Sequence, residues 1–218
     1  MVASALLVAF FPAQGPPPEQ QVEHHVITSL RDPAVKIHLP ESVAYVGADR
    51  WTLYDIADCE LHAFVDSDSS RNVEKLYWVQ FEGYIPARPD LHHTYDSPRH
   101  VTLGGMNFYV DTWVRGAGEK TRSGSDFEHL VALLRRQGFQ PPEEMMYVRL
   151  VHLLDEQKRK ELMIIYAERI PSGLTATEPK PGGAASDRWP SLEPGLLERA
   201  EKSIRIEALN ADPGNSRP

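Results

Sequence analysis

The chain has 218 residues, 41% of them hydrophobic and 25% charged, with 23 Lys and Arg against 31 Asp and Glu and a net charge of −8. This balance suits a soluble globular domain with tails, and it excludes collagen, a coiled-coil rod, a multispan membrane protein and a wholly disordered chain. It also argues against nucleic acid as a partner, because phosphate binding needs clustered Lys and Arg, and the basic runs Arg135-Arg136 and Lys158-Arg159-Lys160 are short.

Residues 1–23 open the chain with an apolar run, Val2 to Phe11, followed by a linker rich in Pro and Gln. Ten apolar residues are too few to span a bilayer, so no stable membrane span is expected. The run fits the apolar region of a secretory signal, with Ala13 and Gly15 at a cleavage-like spacing, although no Lys or Arg precedes it. It points to a secreted or periplasmic protein, a location that the lone Cys59 suits, against the alternative of a cytoplasmic protein in which the run is an N-terminal strand or anchor segment.

Residues 24–170 read as the domain proper. Glu60 to Asp66 and Lys75 to Tyr84 are rich in aromatic and β-branched residues and flank a polar turn, which predicts a hairpin. Asn107 to Arg115 is a third strand after a Gly104-Gly105 turn, and Met146 to Leu154 with Leu162 to Glu168 forms a second hairpin. Between them Ser125 with Glu128 spells a capping box, Phe127, Leu130, Val131 and Leu134 follow at helical spacing, and Gly138 stops the helix. Residues 171–188 are a Pro-, Gly-, Ser- and Thr-rich linker, 189–207 a C-terminal helix packed on the domain, and 208–218 a frayed tail. Leu192, Leu196, Leu197, Ala200 and Ile204 form the apolar stripe of that helix, from about Ser191 to Ile206, and Trp189 pins the linker. The predicted fold is α+β: a predominantly antiparallel, curved sheet built from hairpins, with one inserted and one C-terminal helix.

Alternation along the strands separates two faces. Tyr77, Val79 and Phe81 share one side, and Phe108, Val110 and Val114 continue it. The other side carries Trp78, Gln80, Glu82, Tyr109, Asp111, Trp113, Arg115 and Arg149. Rings with a few polar groups make a binding surface, so these eight residues are the candidate ligand face for a small or amphiphilic molecule. The same pairs also stabilise a sheet that binds nothing.

Chemical motifs are sparse. The loop from Asp90 to His100 gathers His92, His93, Asp96 and His100, but in no closed metal-binding spacing. Asp66, Asp68 and Ser70 open like a calcium loop, yet Arg71 and Tyr77 occupy the glycine and glutamate positions. Gly116 to Thr121 loses the phosphate-loop register at Glu119, there is no nucleophile elbow, and Cys59 reads as a buried, inert thiol. Neither a metal nor a cofactor is expected. His152, among aliphatic neighbours, reads as a core histidine. An enzyme remains the alternative, either metal-assisted through His92, His93, Asp96 and His100 or acid–base through Glu82 with Asp111 or His152. A third reading is a protein-interaction module using strand edges or the last helix. Oligomeric state is open.

Overall fold

A computed structural model describes residues 16–141, 143–176 and 188–209. The apolar run at Val2–Phe11 and most of the second linker lie outside them. Eleven strands and two helices follow in the order β1 (Gln21–Glu23), β2 (Val26–Ser29), β3 (Val35–His38), β4 (Ala44–Leu53), β5 (Ala57–Ser67), β6 (Val73–Tyr84), β7 (Arg99–Leu103), β8 (Met106–Arg115), α1 (Asp126–Arg136), β9 (Met145–Leu153), β10 (Lys160–Arg169), α2 (Arg188–Ser203) and β11 (Arg205–Ala208).

The expected hairpins form. β5 pairs with β6 and β9 with β10, all antiparallel, within a seven-stranded sheet of order β4-β5-β6-β10-β9-β8-β7. Asp68 tightens the first hairpin turn: its Oδ1 accepts from the backbone N–H groups of Ser70 and Asn72. The β7–β8 turn is a two-residue hairpin in which Gly104 and Gly105 both take positive φ, 57° and 81°, as that turn requires. The sheet does not close, so β4 and β7 are its edges.

A second sheet was not legible as strands. Its order is β1-β2-β3-β11. The last helix also starts and ends about three residues earlier than its stripe suggested. It ends at Ser203, and Arg205–Ala208 runs as a strand against Val35–His38. Ile204 is buried as expected of the stripe, but it lies past the end of the helix, and the buried Ile206 reaches the core from β11.

The aliphatic face of the large sheet, with Val79, Phe108, Val148, Leu150, Ile164 and Tyr166, packs into one core with Ile27, Ile37 and Ile206 of the small sheet and Leu196 and Ala200 of α2. Trp189 packs against it as expected. The opposite face packs against α1 through Leu130, Leu133 and Leu134, each burial worth roughly 1.5–3 kcal/mol. Helix α1 begins where the capping box placed it: Ser125 Oγ accepts from the Glu128 N–H, while the Glu128 carboxylate turns back to the N–H of Gly124. It ends in a Schellman motif, with the N–H groups of Gly138 and Phe139 donating to the carbonyls of Arg135 and Leu134. No helix among the described residues is long and apolar enough to cross a membrane.

Candidate functional site

All eight sequence-predicted ligand residues share one sheet face, the one turned away from α2. Cross-strand register sets them in rows: Trp78, Ile165, Arg149 and Asp111 lie side by side, and Gln80, Met163, Val151 and Tyr109 form the next row. The face divides into a roofed part and an open strip. Trp78 is buried with the leucines of α1, and Gln80 is fully buried. Tyr109, Asp111, Trp113, Arg115 and Arg149 are half-buried.

The strip is held by its own contacts. Trp113 stacks on Tyr147 with centroids 4.9 Å apart and planes 5° from parallel. Arg149 donates through Nε and Nη2 to Asp111 Oδ2, the closer bond 2.6 Å, and lies over the Tyr95 ring. Ser97 Oγ donates to the other Asp111 oxygen. The Arg115 guanidinium covers Phe127 at 4.1 Å and donates to the Glu119 carbonyl and Thr121 Oγ1.

Residues 85–98, between β6 and β7, roof the end of the face beyond α1. Arg159 clamps this segment by donating to four carbonyls, those of Tyr84, Ile85, Arg88 and Leu91. The His93 N–H donates to the Lys158 carbonyl at 2.8 Å, and its imidazole stacks on Tyr84, 4.5 Å between centroids. Tyr95 tilts onto Tyr109, 5.7 Å away, and its hydroxyl donates to Glu161 Oε2 at 2.7 Å.

Under this roof lies a carboxylate cluster. Glu82 and Glu161 are directly opposite each other on β6 and β10, and Cys59 faces Glu82 from β5. Asp126, the first residue of α1, completes the group. Ligand-grade atoms of Glu82, His93 and Glu161 lie within 4.8 Å of one another, and so do those of Cys59, Glu82 and Asp126. The His93 Nδ1 stands 3.1 Å from Glu161 Oε2. A relay fixes Glu82: Trp78 Nε1 donates to Gln80 Oε1, and Gln80 Nε2 donates to Glu82 Oε2.

Burial governs the protonation of these groups. It pushes Glu161 up to about 8, with Glu82 adding to the effect, and Glu82 up to about 7, with Asp126 adding. The Asp126 carboxyl is raised by burial as well. His93 goes the other way, down to about 4, because burial disfavours the imidazolium. The Cys59 thiol is pushed far up by burial and by Glu82, which agrees with the inert thiol expected from the sequence.

The other readings of the sequence find different fates. His92, Asp96 and His100 are exposed, and only His93 of that loop joins the buried cluster. Glu82 and His152 stand on opposite faces of the sheet. His152 tilts against Phe108, 5.5 Å between centroids, and its Nδ1 lies 2.9 Å from the Asn107 carbonyl oxygen. Asp111 is tied to Arg149, so the acids beside Glu82 are Glu161 and Asp126 instead. Glu161, Tyr95 and Asp126 were not singled out from the sequence. Extending the last hairpin strand by one residue would have exposed the alternation Glu161, Met163, Ile165, Ala167 and set Glu161 on the ligand face. The contacts of Tyr95 and Asp126 arise from tertiary packing alone.

No protein-family model, curated protein or solved structure matches this chain.

Proposed function

We propose that this α+β domain binds a small amphiphilic molecule on the strip formed by Tyr109, Asp111, Trp113, Arg115 and Arg149. One observation supports this reading above the others: these five side chains are neighbours and half-exposed on a face whose Trp78 and Gln80 are buried. Rings and guanidinium groups lie side by side there, already immobilised by stacking and ion pairing. Such a surface offers large contact area at little further loss of side-chain freedom. An apolar body would lie against Trp113, with its polar end toward the Arg149–Asp111 pair in the adjacent row.

Titration of the full chain with anilinonaphthalene sulfonate, followed by dye fluorescence, tests the reading. Saturable one-to-one binding is expected, weakened about tenfold, or roughly 1.4 kcal/mol, in Trp113→Ala and in Arg149→Ala. Trp189→Phe, on the far side of the sheet, serves as the control. Binding that fails to saturate, or that is unchanged in Trp113→Ala, refutes the strip as a ligand site.

A further inference from the structure

Glu82 and Glu161 face each other across adjacent strands beneath a roof of chain. Like charges set directly opposite are destabilising. Among the described residues neither carboxylate has a Lys or Arg within ion-pair distance, and the nearby guanidinium of Arg149 is spent on Asp111. The imidazole of His93 completes the triangle. It is only 6% exposed, and its Nε2 is buried without any hydrogen-bond partner. A buried nitrogen lone pair or N–H left unmatched costs free energy unless something fills the position.

We propose that Glu82, His93 and Glu161 bind one divalent transition-metal ion. This assignment is independent of the amphiphile strip. One nitrogen and two carboxylate oxygens suit zinc, manganese or ferrous iron, whereas magnesium and calcium favour all-oxygen sets. Two carboxylates also balance a dication. Donors about 2.1 Å from a tetrahedral zinc stand about 3.4 Å apart, so small rotations of the two glutamate side chains bring the 4.8 Å set to bonding distance. The ligands arrive on rigid supports: two paired strands, and a loop held by the Arg159 clamp and the Lys158 carbonyl.

A second set of contacts orients them, as a metal centre requires. Tyr95 holds Glu161, and the Trp78–Gln80 relay holds Glu82. The neighbouring trio of Cys59, Glu82 and Asp126 is the weaker candidate. Its Cys59 Sγ is in contact with the Ala57 carbonyl and Asp126 is only half-buried, although Asp126 Oδ1 is itself unpartnered.

The test is calorimetric titration of chelator-stripped full-length protein with zinc, paired with the visible spectrum of the cobalt-substituted form. One ion per chain and a cobalt spectrum of low coordination number are expected. Glu161→Gln and His93→Gln should each weaken zinc binding at least about 100-fold, and Tyr95→Phe about tenfold. His92→Ala and Asp96→Asn should leave it unchanged. Circular dichroism on each variant separates lost ligation from lost folding, and the Tyr95→Phe value, from a variant that removes no ligand, stands even where a ligand variant does not fold. The proposal is overturned by wild-type protein that takes up no zinc, by undiminished binding in folded His93→Gln, or by loss of binding in His92→Ala.

Discussion

The Tyr95 hydroxyl donates to Glu161 Oε2 at 2.7 Å, joining the loop that roofs the sheet to the acid at its floor. That acid titrates at about 8 in the fold against an ordinary 4.5, so the folded protein holds a proton that the unfolded chain has released between those values. Stability from this group is therefore full below about pH 4.5 and falls as pH rises toward 8. Glu82 acts in the same direction up to about 7. His93, lowered from 6.5 to about 4, acts oppositely, and its gain is complete above 6.5. With a chelator present, wild-type melting temperature is expected to fall between pH 6.5 and 8. Glu161→Gln should flatten that fall by at least about 1 kcal/mol, some 2–4 °C. A parallel decline in both proteins would show that Glu161 ionises normally.

Glu60 behaves in the contrary way. Burial raises its carboxyl, but the His62 ring and the backbone N–H groups of Glu19 and Gln20 outweigh burial and leave it below its ordinary value. Its contribution is present above pH 4.5 and is lost as pH falls through the lowered folded value. Glu60→Gln is expected to release residues 16–23 at neutral pH, read as faster proteolysis there, with a cost of about 1–3 kcal/mol. Equal cleavage rates would mean that this anchor is idle.

On the opposite side, Glu168 accepts from the Tyr166 hydroxyl and from Arg199 of α2. Arg199→Ala leaves a largely buried carboxylate with one neutral donor, whereas Glu168→Gln leaves no buried charge. The arginine variant should therefore be the less stable of the two, by about 1 kcal/mol in urea unfolding. The reverse order would place the stabilisation in the arginine's packing.

Gly104 is irreplaceable on two counts. Its φ is +57°, and a Cβ there would meet the Ile206 carbonyl oxygen at 2.5 Å. Gly105 also has positive φ, but nothing lies within 4 Å of its would-be Cβ. Gly104→Ala should cost at least about 2 kcal/mol and Gly105→Ala about 1, in chemical denaturation. Equal costs would remove the β11 contact as the cause.

Sequence patterning carried far where side-chain period and caps spoke locally. The hairpins at Ala57–Tyr84 and Met145–Arg169, the Ser125 cap and the two-faced sheet follow from alternation and from residues a few positions apart. The small sheet did not emerge because β1, β2, β3 and β11 are only three or four residues long, too short for a period to register. Arg205–Ala208 was absorbed into the preceding helix because Ile204 and Ile206 fit either geometry when read alone. The candidate site was half-visible. The eight predicted residues share a face, but α1 covers Trp78. The cluster around Glu161 is assembled by loop and helix placement, which spacing does not encode.

The pairing of Arg205 with His38 has a kinetic side. During synthesis β3 leaves the ribosome long before its final neighbour exists, so its outer backbone groups wait unmatched while the large sheet is free to form. Sealing of the hydrophobic interior is thus deferred until Arg205–Ala208 has been translated, and until then the nascent domain presents an unsatisfied ribbon edge that a holding chaperone would recognise.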